Sequence, residues 1–277
     1  MRKILGFIKI EHTIFSVPLL FAGAWLGAGS QMPPYGVLIW IVLAGVGARV
    51  LGMAVNRIAD RDIDLHNPRT MGRELPSGKM SASSAAVVAV AGFVLYLVAC
   101  GFLGPLVLKL SPIPAAVLIL YSFLKRFTAL CHFGIGVVLG LAPIGAYVAV
   151  RGDLVPSLDI VLLGVFTFCW ISGFDIIYGL QDIKFDREHN VRSIPAALGS
   201  RRAQWVAAII HGVAFAVLFG LLRATGGGAI STVALLVACC GFIAAYLPFV
   251  PLPVRFFPIS SIAGIAGAIV PIAGSVA

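Results

Sequence analysis

Residues 35–64 read YGVLIWIVLAGVGARVLGMAVNRIADRDID, and two features of this stretch decide the fold class. From Gly36 to Val55 every residue is apolar or small except Arg49. That matches the roughly 20 residues needed to cross a bilayer as a helix. The run then turns polar, with Asn56, Asp60 and Asp64 at i, i+4 and i+8, a spacing that shares one helix face. Arg49, one heptad before Asn56, continues this stripe into the apolar part, whereas Asp62 points away from it.

The rest of the chain agrees with the apolar run. Of 277 residues, 60% are hydrophobic and 11% charged; soluble domains average about 45–50% and about 25%. Too few charges remain to solvate a globule, and disorder, coiled coil and collagen fail for the same reason. The expectation is an all-α integral membrane protein. Nine candidate spans lie near 13–29, 35–55, 83–102, 113–124, 132–150, 158–178, 203–222, 230–247 and 257–276, the fourth being short unless it begins near Pro105. Placing the N-terminus in the cytoplasm puts 16 of the 20 Lys and Arg on one face and three on the other, with Arg49 inside a helix. This is the positive-inside asymmetry of a cytoplasmic N-terminus. The net charge of +9 therefore points to anionic lipid facing the loops and not to nucleic acid. Met1-Arg2-Lys3 leads into a run broken by Lys9, Glu11 and His12, poor signal-peptide form, so the first helix is expected to stay. The five cysteines lack C-x-x-C spacing and read as small apolar residues.

Eight of the eleven acidic residues lie in or beside two cytoplasmic loops. In the second, Asp175, Tyr178, Asp182 and Asp186 share a helix face. The two segments align at a constant offset of 122 residues, pairing Asn56 with Tyr178, Asp60 with Asp182 and Asp64 with Asp186. Each leads to an Arg-x-x-Pro, Arg73 to Pro76 and Arg192 to Pro195. The echo predicts two similar four-helix units with facing acidic ends, plus a ninth helix. Carboxylates at i, i+4 repel unless a cation joins them. Mg²⁺ suits such oxygens, using one or two carboxylates plus substrate phosphates. Arg61, Lys125, Arg126, Lys184 and Arg187 would complete a clamp for a diphosphate. A lipid carrying a diphosphate head fits such a site above an apolar bundle.

These residues resemble the two signatures of the UbiA superfamily of intramembrane prenyltransferases, Asn-(Asp)-x-x-Asp-x-x-x-Asp and Tyr-x-x-x-Asp-x-x-x-Asp; Arg57 replaces the optional first Asp. Asn67-Pro68-Arg69-Thr70, Leu75-Pro76-Ser77-Gly78 and Tyr121-Ser122-Phe123-Leu124-Lys125-Arg126-Phe127-Thr128 are similar to the 4-hydroxybenzoate polyprenyltransferase branch, with Ser122 where that branch usually has Pro. Glu11-His12-Thr13-Ile14-Phe15 and Gln181-Asp182-Ile183-Lys184-Phe185-Asp186 look most like the subgroup assigned to menaquinone synthesis by the futalosine route. The resemblance covers nearly all of residues 1–277 as a single domain. It implies nine helices, with Asp60, Asp64, Asp182 and Asp186 as catalytic metal ligands holding two Mg²⁺ on a prenyl diphosphate. The polyprenyl chain would pass to a ring carbon of an aromatic hydroxy acid, 4-hydroxybenzoate or a naphthoate, in quinone biosynthesis.

Arg49 is assigned to the aromatic carboxylate or the diphosphate, with an internal pair to Asp175 as its plainer role. Tyr121 and Tyr178 could bond phosphate or face a developing cation, or serve as interfacial tyrosines. Asn56 and Asp175 complete the substrate-binding set. Glu11 and His12 either help hold the acceptor or cap the first helix. His66 and His189 read as solvated, and His132 and His211 as structural. Gly226-Gly227-Gly228 forms a turn on the outer face. Two other readings stay open: prenyl transfer to another acceptor such as haem, and a secondary transporter, whose site should lie nearer the midplane.

Overall fold

The computed structural model describes residues 6–8 and 13–275, so Lys9, Glu11 and His12 lie outside the described residues. The described chain is helical: α1 (Thr13–Gly27), α2 (Tyr35–Ala59), α3 (Arg61–His66), α4 (Ala82–Phe102), α5 (Pro105–Leu110), α6 (Pro112–Leu124), α7 (Cys131–Arg151), α8 (Leu158–Gly179), α9 (Ile183–Glu188), α10 (Ile194–Leu198), α11 (Ser200–Ala224), α12 (Ala229–Ala244), α13 (Leu252–Val254) and α14 (Ser260–Gly274). Among the described residues, seven helical segments are long and apolar enough to cross a membrane. The first and eighth expected spans coincide with the shorter apolar helices 16–27 and Ala229–Ala244. The fourth runs from Pro105 to Leu124 and is interrupted at Ser111, because Pro112 cannot donate the next backbone bond.

The helices pack through small residues, as bundles in lipid do. Where α2 meets α4, a Cβ on Gly47 would sit 2.5 Å from the Tyr96 backbone nitrogen, and one on Gly92 would sit 2.7 Å from that of Leu51. Neither site has room for a side chain. Span 158–188 is the most enclosed, 72% of its window lying inside the molecule. Its α8 is flanked by α7 and α11, and Phe166, Trp170 and Phe174 are fully buried along it. The C-terminal end of α8, which carries Asp175 and Tyr178, therefore rests on a well-packed helix.

Both acidic stripes run through helix interruptions. α2 stops at Ala59, and α3 begins after Asp60. The backbone bonds Asp60 N to Asn56 O (2.9 Å) and Asp64 N to Asp60 O (2.7 Å) nevertheless keep the i, i+4 relation. α8 likewise passes through a tight 3₁₀ turn, Leu180–Asp182, into α9. The expected faces survive these breaks.

Candidate active site

The C-terminal ends of α2 and α8 and the N-terminal end of α7, with the loops that follow α3, α6 and α9, line a polar chamber of about 470 Å³. Asn56, Asp60, Asp64, Arg49, Tyr121, Lys125, Asp175, Tyr178, Asp182 and Asp186 all line it. The two acidic motifs are therefore brought together. They are also bonded across: Asn67 Nδ2 donates to Asp182 Oδ1 at 3.0 Å, and Arg69 Nε donates to the same oxygen at 2.9 Å.

Each motif carboxylate has its own partner. Lys125 Nζ sits 2.5 Å from Asp60 Oδ2. Arg73 Nη1 donates to both oxygens of Asp64, at 2.9 and 2.8 Å. Arg69 grips both oxygens of Asp182, donates to the Tyr178 hydroxyl at 2.6 Å and lies over the Tyr178 ring. Ser193 Oγ donates to Asp186 Oδ2 at 2.8 Å while capping α10 through the Ala196 N–H. Burial pushes the Asp60 carboxyl above the usual carboxylate range, against the pull of Lys125. Burial disfavours the Arg69 charge, but Asp182 and Tyr178 outweigh it and hold the guanidinium above its ordinary pKa.

Behind the chamber lies an apolar tunnel of about 180 Å³, walled by residues such as Leu20, Ile41, Leu118, Val138 and Ala142. The two spaces share Arg49, Met53, Tyr121, Ile135 and Leu139 as common walls. Arg49 thus stands at the junction of polar and apolar space, two turns deeper than Asn56.

Four expected bases are placed elsewhere. Arg61 and Lys184 stay exposed, and the Lys184 side chain leans towards Glu188 at 4.0 Å. One residue's step along a helix turns a side chain by about 100°, so neighbours of an inward Asp point outward. Arg126 bends back to bond the Ala59 carbonyl at the end of α2, where a cation complements the helix dipole. Arg187 likewise donates to the Ala196 carbonyl at 2.7 Å. Asn67, Arg69, Arg73 and Ser193 are the partners that sequence reasoning did not assign. Their only sequence signal was membership in the Asn67-Pro68-Arg69 and Arg-x-x-Pro runs. Asp175 takes His132 as its partner, Nδ1 to Oδ2 at 2.7 Å. Arg57, at the family's optional Asp position, is a buried cation lining the chamber.

These donors suit a hard divalent cation. Among the described residues, Asp60 Oδ1 is buried with no hydrogen-bond partner, an oxygen that a cation would satisfy. Among the same residues, no three His, Cys, Asp or Glu side chains cluster closely enough to hold a metal alone. An ion here would complete its shell from substrate oxygens, as Mg²⁺ commonly does.

A membrane bundle with two carboxylate motifs over an apolar tunnel is the architecture of an intramembrane group-transfer enzyme. The profile of the UbiA prenyltransferase family matches residues 16–252, and the chain belongs to that family and is a prenyltransferase. A 4-hydroxybenzoate octaprenyltransferase of Shewanella piezotolerans is 33% identical over 214 residues, covering 76% of this chain and 72% of that one. The enzyme of the same name from Pectobacterium atrosepticum is 32% identical over 243 residues, 85% and 82% of the two chains. The apo structure of a UbiA homolog from Aeropyrum pernix K1 superposes with a TM-score of 0.82 at 35% identity, over 96% of this chain and 98% of that one. A UbiA homolog from Archaeoglobus fulgidus bound to GPP and Mg²⁺ shares the fold at a TM-score of 0.68 and 17% identity, over 98% and 99% of the chains.

Proposed function

We propose that this prenyltransferase uses Mg²⁺ to transfer a polyprenyl chain from its diphosphate to a ring carbon of an aromatic hydroxy acid, 4-hydroxybenzoate or a naphthoate, in quinone biosynthesis. One observation carries the reading: paired carboxylates and their bases line a single chamber whose walls continue into an apolar tunnel. The diphosphate would occupy the chamber and the hydrocarbon the tunnel. Relatives named for 4-hydroxybenzoate and a neighbour holding GPP with Mg²⁺ support the same assignment.

Asp60, Asp64, Asp182 and Asp186 would hold the metal, which when bound neutralises the charge that builds on a departing diphosphate. Arg69, Arg73 and Lys125 bind the remaining phosphate oxygens, with Asn56 and Tyr178 beside them. Tyr121 and the tunnel wall keep water from the allylic carbon as its bond to oxygen breaks. Arg49 takes the carboxylate of the aromatic acid, and Asp175 faces its ring. The whole chain forms one domain with nine spans, the seven long ones plus the two shorter apolar helices. The chamber opens to the cytoplasm, on the side of the N-terminus.

Incubating the purified protein with Mg²⁺, geranyl or farnesyl diphosphate and a panel of aromatic acids tests this. A ring-prenylated acid, lost on adding excess chelator, is expected. Full activity in chelator, or a prenylated haem as the only product, would overturn it.

A further inference from the structure

His132 sits at the start of α7 with its side chain only 5% exposed, against 30% for the Asp175 carboxyl it bonds. Its two ring nitrogens have different partners. The Ile194 backbone N–H donates to Nε2 at 3.3 Å, so Nε2 carries the lone pair and Nδ1 the proton. That proton points at Asp175 Oδ2, 2.7 Å away. A Cβ at Gly179 would lie 3.2 Å from both His132 Cε1 and Pro195 Cγ, so the ring is wedged between α8 and α10. The loop supplying the Ile194 N–H is itself fixed on the far side, where Arg192 N donates to the Lys125 carbonyl at 2.8 Å and Arg192 Nη1 to that of Phe127 at 2.5 Å. The carboxylate is thus oriented through a buried imidazole whose tautomer is set by the backbone, the arrangement that orients a reacting group in a hydrogen-bonded relay. It lies on α8, seven residues before Asp182 in sequence, and lines the chamber together with Arg49.

We propose that His132 is a positioning residue: it holds Asp175 so that this carboxylate receives the proton displaced from the aromatic ring. The inference rests on the aromatic-acceptor reading above. As the prenyl carbon bonds to the ring, the diphosphate leaves with the electron pair of the broken C–O bond. The ring carbon then holds both its hydrogen and the prenyl group. The C–H electron pair returns to the ring, and the proton passes to Asp175, which later yields it to water in the chamber. His132 keeps its Nδ1 proton throughout and supplies direction.

The test measures three products with the full-length protein, Mg²⁺, geranyl diphosphate and 4-hydroxybenzoate: diphosphate, prenylated acid and free geraniol. His132→Leu removes the Nδ1 donor while filling the space. It is expected to lower kcat for prenylated acid by about 50-fold or more, with KM for geranyl diphosphate within about threefold, and to release diphosphate in excess over ring product. His132→Asn can still donate to Asp175 and is expected to recover to within about tenfold of the parent. Asp175→Asn, which keeps a polar group in place but cannot take the proton, should show the same excess of geraniol, and it carries the test if His132→Leu fails to fold. The role is overturned if His132→Leu turns over like the parent, if Asn restores nothing relative to Leu, if the loss falls on KM for the diphosphate, or if Asp175→Asn prenylates the ring normally. A parent enzyme that prenylates no aromatic acid overturns the functional reading instead.

Discussion

Asn67, three residues beyond the first acidic motif, donates a hydrogen bond to Asp182 in the middle of the second, 115 residues further along the chain. With Arg69 on the same carboxylate, this bond ties the segments carrying the two acidic motifs together at the chamber.

Asp60→Asn and Asp182→Asn each preserve shape while removing charge. Turnover is expected to fall by about 10²–10³ or more, the scale for losing one preorganised electrostatic contact in a reaction centre. Thermal unfolding in detergent should shift little, because the partners Lys125 and Arg69 reach partly exposed space. Product assays beside unfolding midpoints check both halves of this expectation.

Arg69→Ala strips Asp182 and Tyr178 of their shared cation. Hydrogen bonds to charged groups contribute about 1.5–3 kcal/mol, so KM for the prenyl diphosphate should rise roughly 10- to 100-fold. Arg61→Ala and Lys184→Ala, whose side chains point to water, should stay within about threefold of the parent. Steady-state kinetics on the three variants separates them, and a large effect at Lys184 would contradict the described geometry.

Gly145 lines the tunnel, and a Cβ built on it meets no atom within 4 Å. Gly145→Phe should therefore fold, yet fill space meant for hydrocarbon. Activity with geranyl diphosphate is expected to persist while activity with longer donors drops. A series of donors of increasing length, assayed in parallel, reads the cut-off.

Gly47→Val tests packing and not chemistry. With the Tyr96 backbone nitrogen 2.5 Å from the new Cβ, α2 and α4 must separate. Overpacking costs about 1–3 kcal/mol or more, so folded yield and thermal midpoint should both fall, with donor preference unchanged in what survives.

Most of the fold was legible because lipid imposes simple rules. Long apolar runs, the positive-inside bias and two stripes at i, i+4 follow from solvent and helix period alone, and the stripes reached the chamber despite breaks at Asp60 and Leu180. The carboxylates, Arg49, Asn56 and Tyr178 were found by that route, Lys125 from its charge beside the acidic segments and Tyr121 from the run it shares with Lys125. The partners Asn67, Arg69, Arg73, Ser193 and His132 were not, because each reaches its carboxylate through the packing of loops or helices that periodicity does not encode. The same limit explains Arg61, Lys184 and Arg126: closeness in sequence to an inward Asp (Arg61, Lys184) or to Lys125 (Arg126) suggested proximity to the site, whereas the first two point outward and Arg126 bonds back onto the Ala59 carbonyl.

The ion pairs already present before any ligand arrives have a consequence for how ligands enter. Lys125, Arg73 and Arg69 neutralise Asp60, Asp64 and Asp182. A metal arriving alone must evict cations that then have nothing to bind, and a pyrophosphate arriving alone must pull those cations off acids left bare. Together the two trade partners and add far less charge to the chamber than either would alone. Under the proposed function, metal and pyrophosphate are expected to bind as a pair, each raising the affinity for the other.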